Sequence, residues 1–283
     1  MTRHNGQMDL IDAHLHLIHR DRLQYDWLAG ADWVGPGDYA FADMTALSQG
    51  RITGSLFMEV DVSDYRAEAR MVADLMGSQP KLIGQIASCR PEIADGFDQW
   101  LAECEALKVV GFRRILHETT DDMSQSGLFR RNVRAIGATG RPFDMVFQAR
   151  QLPVALGLAR ACPDMTLVLD HCGVPDIAGG AMDPWRADIA ALAALPHVMC
   201  KLSGIMAYCA PGTASVAVLR PWVDHVIDVF GPARVLWGSD WPVVNKGGGL
   251  PLWLDITDGL LAGLTAPEQS AIRAGTARRV YGV

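Results

Sequence analysis

The feature that most constrains the fold is a repeated alternation of short apolar runs with longer amphipathic stretches. Stretches such as "DYRAEARMVADLMG" and "PWRADIAALAALP" have helical spacing, and several end at Gly or Pro, as helices commonly do. Strands that alternate with helices indicate a parallel sheet covered by helices. Eight runs have the composition of buried strands: "LIDAHLHL", "TGSLFMEV", "KLIGQIAS", "VVGFRRIL", "PFDMVFQ", "TLVLDHCG", "HVMCKLSG" and "RVLWGSDW".

Eight strands of this kind favour a closed (β/α)8 barrel, the TIM-barrel architecture of the α/β class. An open, doubly wound sheet is the alternative. A length of 283 residues is one that such barrels reach as a single domain. Because no low-complexity tract or Pro/Ser-rich linker divides the chain, we expect residues 1–283 to form one domain.

Composition and charge point to a small-molecule partner. Apolar residues make up 49% of the chain and charged residues 20%, which is ordinary for a globular protein. The net charge of −7 gives no reason to expect binding to nucleic acid or to an anionic membrane. The first residues contain no apolar signal-peptide core, and the six cysteines show no C-x-x-C spacing. We therefore expect a cytoplasmic monomer or homodimer with reduced cysteines.

Polar residues recur late in the predicted strands, where the active sites of parallel barrels lie. A lone residue of this kind is more often structural, but burying many ionisable groups around one axis is costly unless a site needs them. The same alternation turns Asp170 outward, towards the helices. The long segment "YDWLAGADWVGPGDYAF", which contains Trp27, is predicted to fold over the pocket. A period of two places these residues on the inner face: His14, His16, Glu59, Arg113, His117, Gln148, His171, Lys201, Ser203 and Asp240.

The H-x-H of the first strand, the histidine of "VLDHCG" and the "GSDWP" of the last strand together resemble the amidohydrolase superfamily. More narrowly, the chain is similar to the amidohydrolase-2 group of sugar-lactone and pyrone-dicarboxylate lactonases. The resemblance extends from "DAHLHL" through "GFRRIL" and "CKLSG" to "TARRVYGV", nearly the whole chain. It implies a distorted (β/α)8 barrel, which agrees with the strand count.

The resemblance also assigns residues. His14 and His16 match the first-strand pair, His171 the sixth-strand histidine and Asp240 the last-strand aspartate. Binuclear members add a bridging carboxylated lysine or a glutamate and a further histidine on the fourth and fifth strands, where this chain has Arg113, His117 and Gln148. A two-metal site is therefore not expected. The three histidines and Asp240 have the composition of a site for one Zn²⁺ with an open position. We expect metal to be dispensable, because a lactone is an activated ester and similar lactonases work without it.

The expected reaction is hydrolysis of a sugar lactone, such as a fucono-, rhamnono- or galactono-lactone. Asp240 would activate water, while His14, His16 and His171 polarise the carbonyl. Among the arginines near the strand ends, the alternation turns Arg113 inward and Arg114 outward, which favours a neutral aldonolactone over a dicarboxylate. The alternatives are a dicarboxylate lactonase, a metal-dependent decarboxylase of the same superfamily, or a silent barrel in which Asp240→Asn changes nothing. Residues expected to bind substrate are Arg113, Lys201, Gln148, Glu59 and Trp27.

Overall fold

The structure, a computed structural model, describes residues 8–283. Eight parallel strands follow one another around a single sheet in chain order, so the predicted barrel is confirmed and the open doubly wound sheet is wrong. Each of the eight predicted runs contains one strand. The strands are β1 (Ile11–Leu15), β2 (Gly54–Met58), β3 (Leu82–Ser88), β4 (Val109–Ile115), β5 (Phe143–Val146), β6 (Leu167–Leu169), β7 (Val198–Leu202) and β8 (Val235–Trp237).

Helices connect successive strands and cover the outside of the barrel. Several begin where the side-chain oxygen of the preceding residue accepts the backbone N–H of the third helical residue, as in Asp64, Ser126 and Ser215. The helices are α1 (Phe41–Ser48), α2 (Tyr65–Ser78), α3 (Phe97–Ala106), α4 (Gly127–Ala138), α5 (Leu152–Ala161), α6 (Trp185–Ala193), α7 (Val216–Phe230), α8 (Leu250–Leu261), α9 (Ala266–Ser270) and α10 (Thr276–Tyr281).

The barrel closes where the residues after β8 meet β1. Asp240 donates its backbone N–H to the carbonyl of His14 (2.8 Å), and His16 donates to the carbonyl of Trp241 (2.8 Å). The Asp12 side chain adds a bond, because its Oδ1 accepts the backbone N–H of Ser239 at 2.7 Å. Burial raises the pKa of Asp12 to about 6, although hydrogen bonds from Ser239 and from the His14 N–H oppose the shift. The seam therefore joins the two chain segments that carry His14, His16 and Asp240.

The barrel interior has an apolar end and a polar end. Ile11, Leu56 and Leu236 form an apolar layer with Tyr281 of α10, which packs against the amino ends of the strands. The ionisable residues lie towards the carboxyl ends, where the sequence pattern placed them. One end of the axis is thus filled by packing, and the other is left for a polar site.

Among residues 8–283, no helix has the length and apolar character needed to cross a membrane. All six cysteines are free thiols, and five of them are buried.

Candidate active site at the carboxyl ends of the strands

Asp240 lies among three histidines at a cavity of about 370 Å³, which His16, His171 and Asp240 line and behind which His14 is buried. The carboxylate oxygens of Asp240 lie 3.3 Å from His16 Nε2, 3.7 Å from His14 Nε2 and 4.0 Å from His171 Nδ1. All four side chains are buried. The four residues matched to the family motifs are therefore brought together in space.

His171 and Asp240 reach the cavity through an uncommon backbone conformation. Each follows a strand that has already ended, and each has a positive φ, 54° at His171 and 55° at Asp240. Such a conformation is uncommon for non-glycine residues and is concentrated at functional sites. Gly204 makes room for both, because a Cβ at that position would lie 2.6 Å from His171 Nδ1 and 2.7 Å from Asp240 Oδ2. Only glycine fits at this contact.

Hydrogen bonds determine which nitrogen of each first-strand histidine carries a proton. His16 Nδ1 lies 2.9 Å from the carbonyl oxygen of Met58 and must donate, because a carbonyl only accepts. His14 Nε2 lies 3.3 Å from Arg113 Nη1 and must accept, because a guanidinium only donates. The other nitrogen of His14, Nδ1, faces the Asp170 carboxylate at 3.5 Å. Burial holds the pKa of His14 well below its usual range, so its ring is neutral.

The lone pairs that meet beside Asp240 could bind a cation. In its neutral form His16 directs the lone pair of Nε2 at Asp240 Oδ1, so two acceptors face each other. A proton or a metal ion between them removes the repulsion. One ligand atom from each of His14, His16 and Asp240 lies within 4.8 Å of the other two. These residues therefore suit a single zinc ion, while Arg113 provides a competing positive charge beside His14.

Arg113 and Glu59 form a buried pair beside this cluster. Arg113 Nε donates to Glu59 Oε1 at 2.7 Å, and Nη2 lies 2.5 Å from the Glu59 carbonyl oxygen. Burial alone would raise the pKa of Glu59, but the charge of Arg113 holds it below its usual range. Arg113 lines the cavity, whereas Glu59 is fully buried behind it. Glu59 thus orients Arg113 and is out of reach of a molecule in the cavity.

The profile of the amidohydrolase family matches residues 11–283. The chain belongs to this family.

Relatives of this amidohydrolase include two proteins named L-fucono-1,5-lactonase. The one from Burkholderia multivorans is 28% identical over 286 residues, covering 96% of this chain and 95% of the relative. The one from Burkholderia ambifaria is 37% identical over 142 residues, covering 50% of this chain and 49% of the relative. Among solved structures, a Burkholderia multivorans amidohydrolase with bound zinc superposes with a TM-score of 0.87 at 27% identity, covering 97% of this chain and 99% of that one.

Lys201 of this amidohydrolase lies beneath the cavity and has no exposed surface. Its Nζ contacts Asp144 and lies 2.9 Å from Asp170 Oδ1, and the Tyr281 hydroxyl donates to Asp144 at 2.7 Å. The structure thus contradicts the expectation that Lys201 binds substrate. Burial would raise the pKa of Asp170, but Lys201 and His14 hold it well below its usual range.

The outward placement expected for Asp170 is also wrong. The alternation of side chains holds only within a strand, and β6 ends at Leu169. The left-handed backbone at His171 and Cys172 then turns the chain, so that Asp170 and His171 both face the barrel axis. Asp170 lies 3.7 Å from Arg113 as well, which places one carboxylate against several positive or N–H-bearing groups.

Of the two remaining residues expected to bind substrate, Trp27 lines the cavity and Gln148 does not. Gln148 follows the end of β5, and its Oε1 accepts from Arg150 Nε at 3.1 Å in a groove beside the cavity. It therefore does not line the cavity, contrary to expectation. Trp27 does line it, with its Nε1 donating to the carbonyl of Val60 at 2.9 Å. Trp33 stacks on Trp27 with ring centroids 6.3 Å apart, so the aromatic segment folds over the pocket as predicted.

The sequence pattern did not single out several residues that line the cavity. Strand alternation gives no signal for them, because they lie in the connections that follow the strands: Trp33 and Asp61 in loops, and Tyr208 and Lys246 in short 3-10 helices. His117 lines the rim of the cavity, and Ser203 lies 3.0 Å (Oγ) from His171 Nδ1, so these two inner-face assignments agree with the structure.

Proposed function

We propose that this amidohydrolase opens the ring of a neutral sugar lactone by hydrolysis, for example an aldono-1,4- or 1,5-lactone such as L-fuconolactone. The observation that carries the proposal is the Asp240 carboxylate, held at the floor of the cavity within 4.0 Å of three histidine rings. Relatives named L-fucono-1,5-lactonase support the choice of a lactone.

Asp240 acts as the base in this scheme. Its carboxylate takes a proton from water while the water oxygen attacks the carbonyl carbon. The bond from that carbon to the ring oxygen then breaks, and Asp240 returns the proton to the ring oxygen. The product is the open-chain hydroxy acid, and the carboxyl group ionises in solution.

The carbonyl oxygen needs positive or N–H groups as charge develops on it. His14 cannot donate to it, since its Nε2 lone pair already accepts from Arg113. His14 therefore contributes by holding the Arg113 guanidinium at the cavity wall. We assign the carbonyl oxygen to His16 and His171, which line the cavity beside Asp240. His16 can donate to it only as the imidazolium, because its Nδ1 proton is already bonded to the carbonyl of Met58.

A metal, where bound, would be held by His14, His16, His171 and Asp240. Zinc in that position would polarise the carbonyl as a Lewis acid. We propose that turnover does not need it, because a lactone is more reactive than an amide and its carbonyl needs less polarisation.

The charges around the cavity favour a neutral substrate. Arg113 is neutralised by Glu59, and the remaining lining cation, Lys246, lies over the ring of Trp33. Asp61 and Glu118 add carboxylates to the same lining. A dicarboxylate would meet more negative than positive charge there.

Chelation provides the test of both parts of the proposal. We expect proton release from sugar lactones, followed with a pH indicator, to persist after dialysis against a chelator that lowers the zinc content, measured by elemental analysis, to background. Loss of turnover with rescue by Zn²⁺ would contradict the dispensability of metal. Failure to open any lactone in a panel of aldonolactones and dicarboxylate lactones would contradict the lactonase itself and favour the decarboxylase.

A further inference from the structure

Left-handed backbone at non-glycine residues has two origins in this fold. Seven such residues occur in the described part of the chain. Gln49 and Lys108 follow the ends of α1 and α3, where this conformation commonly ends a helix. The other five follow strands at the active-site end of the barrel. Three of those five line the cavity: Asp61 (φ 53°), His171 and Asp240.

Asp61 is thus a third strained residue at the cavity, beside the two already placed in the mechanism. Its backbone is fixed by Glu59, whose Oε2 accepts the Asp61 N–H at 2.9 Å. The other oxygen of Glu59 holds Arg113. One buried carboxylate therefore sets the positions of Asp61 and Arg113 together.

Only one of the two carboxylate oxygens of Asp61 forms a hydrogen bond within residues 8–283. Arg90 Nη2 donates to Oδ1 at 3.4 Å, and Arg90 is itself anchored by Ser88 Oγ at 2.6 Å and by the ring of Tyr65, 5.1 Å from its guanidinium carbon. Within residues 8–283, Oδ2 forms no hydrogen bond. The side chain is 37% exposed, and the residue lines the cavity. An oriented acceptor is therefore left open to a ligand.

The surroundings of Asp61 suit a sugar. Trp27 lies next to it, with Nε1 bonded to the carbonyl of Val60, the residue before Asp61. An aromatic ring offers a face for C–H groups, and an ionised carboxylate only accepts hydrogen bonds. A sugar can place its C–H groups on the aromatic face and donate a hydroxyl hydrogen to Asp61, whereas the Asp61 carboxylate would repel a carboxylate of the substrate.

We infer that Asp61 is a specificity-determining residue that accepts a hydrogen bond from a hydroxyl of the lactone and disfavours lactones that carry carboxylates. The inference rests on the proposed lactonase function. It assigns Asp61 a role in substrate choice and none in the chemical step.

Asp61→Asn tests this with little change of shape, because asparagine also tolerates a positive φ. A hydrogen bond to a charged acceptor is about twice as strong as a neutral one. We therefore expect kcat/KM for a polyhydroxylated aldonolactone to fall about tenfold. Turnover of unsubstituted δ-valerolactone, which has no hydroxyl to bind, should stay at the wild-type value, and a dicarboxylate lactone should be accepted better than by the wild type.

Asp74→Asn is the matched control, since Asp74 lies exposed on α2 and does not line the cavity. Equal losses of Asp61→Asn on hydroxylated and unsubstituted lactones would overturn the inference, and so would unchanged kinetics on both. Hydrolysis of δ-valerolactone by the wild type tests the proposed lactonase function separately from the role of Asp61 in substrate choice. A wild type that opens no lactone overturns the proposed function, and the inference falls with it.

Discussion

Asp240→Asn is expected to lower kcat/KM for lactone hydrolysis by roughly 100- to 10,000-fold, the range for losing a general base. The amide cannot take a proton from water, yet it fills nearly the same volume and tolerates the positive φ at this position. The fold should therefore persist. Initial rates of proton release, with the melting temperature of both proteins, measure the two effects separately.

The same change distinguishes catalysis from a silent barrel. Asp74→Asn provides the comparison, because it makes the same substitution at an exposed position away from the cavity. Unchanged turnover in Asp240→Asn would remove the base from the mechanism. A large drop in melting temperature along with the rate would mean that Asp240 holds the histidines in place and that the rate loss is structural.

Lys201→Met is expected to lower the free energy of unfolding by about 3–5 kcal/mol, the cost of breaking a buried ion pair on one side. Methionine fills most of the space of the lysine stem but leaves Asp144 and Asp170 without their shared cation. Urea denaturation followed by tryptophan fluorescence measures the change.

Two further variants make this result specific. Lys246→Met replaces an exposed lysine at the cavity and should leave the free energy of unfolding close to the wild-type value. Adding Asp144→Asn to Lys201→Met removes one uncompensated charge and should recover part of the loss. A stable Lys201→Met protein with a raised KM would instead restore the substrate-binding role that the sequence pattern suggests.

The sequence was informative wherever one periodic pattern continued without interruption. Each of the eight strands falls within a predicted run, because β-branched and apolar residues mark buried parallel strands. Asp144 could have been found in the same way, since it lies four residues before Gln148 and alternation gives both the same face. Its partner Lys201 lies 57 residues further along the chain, and only the closed barrel brings the two together.

The pattern failed where strands end. Gln148 lies beyond β5 and Asp170 beyond β6, so the period of two no longer sets their direction. The positive φ values of His171 and Asp61 leave no mark on the sequence, because neither residue is glycine. Residues in the connections, such as Trp33 and Lys246, depend on how the chain crosses the barrel mouth. Asp61, to which we assign substrate choice, is one of the positions that the pattern did not reveal.

The seam between β1 and the segment after β8 has a consequence for folding. Asp12 and Ser239 are separated by 227 residues, so their contact closes one of the longest loops in the molecule. Contacts between residues far apart in sequence carry a large entropic cost and slow the rate at which a chain reaches its native state. His14 and His16 lie on one side of this seam and Asp240 on the other, joined by the backbone bonds that close it. The groups proposed to be catalytic therefore come together only as the barrel closes, and we expect refolding to restore turnover after most of the secondary structure has formed.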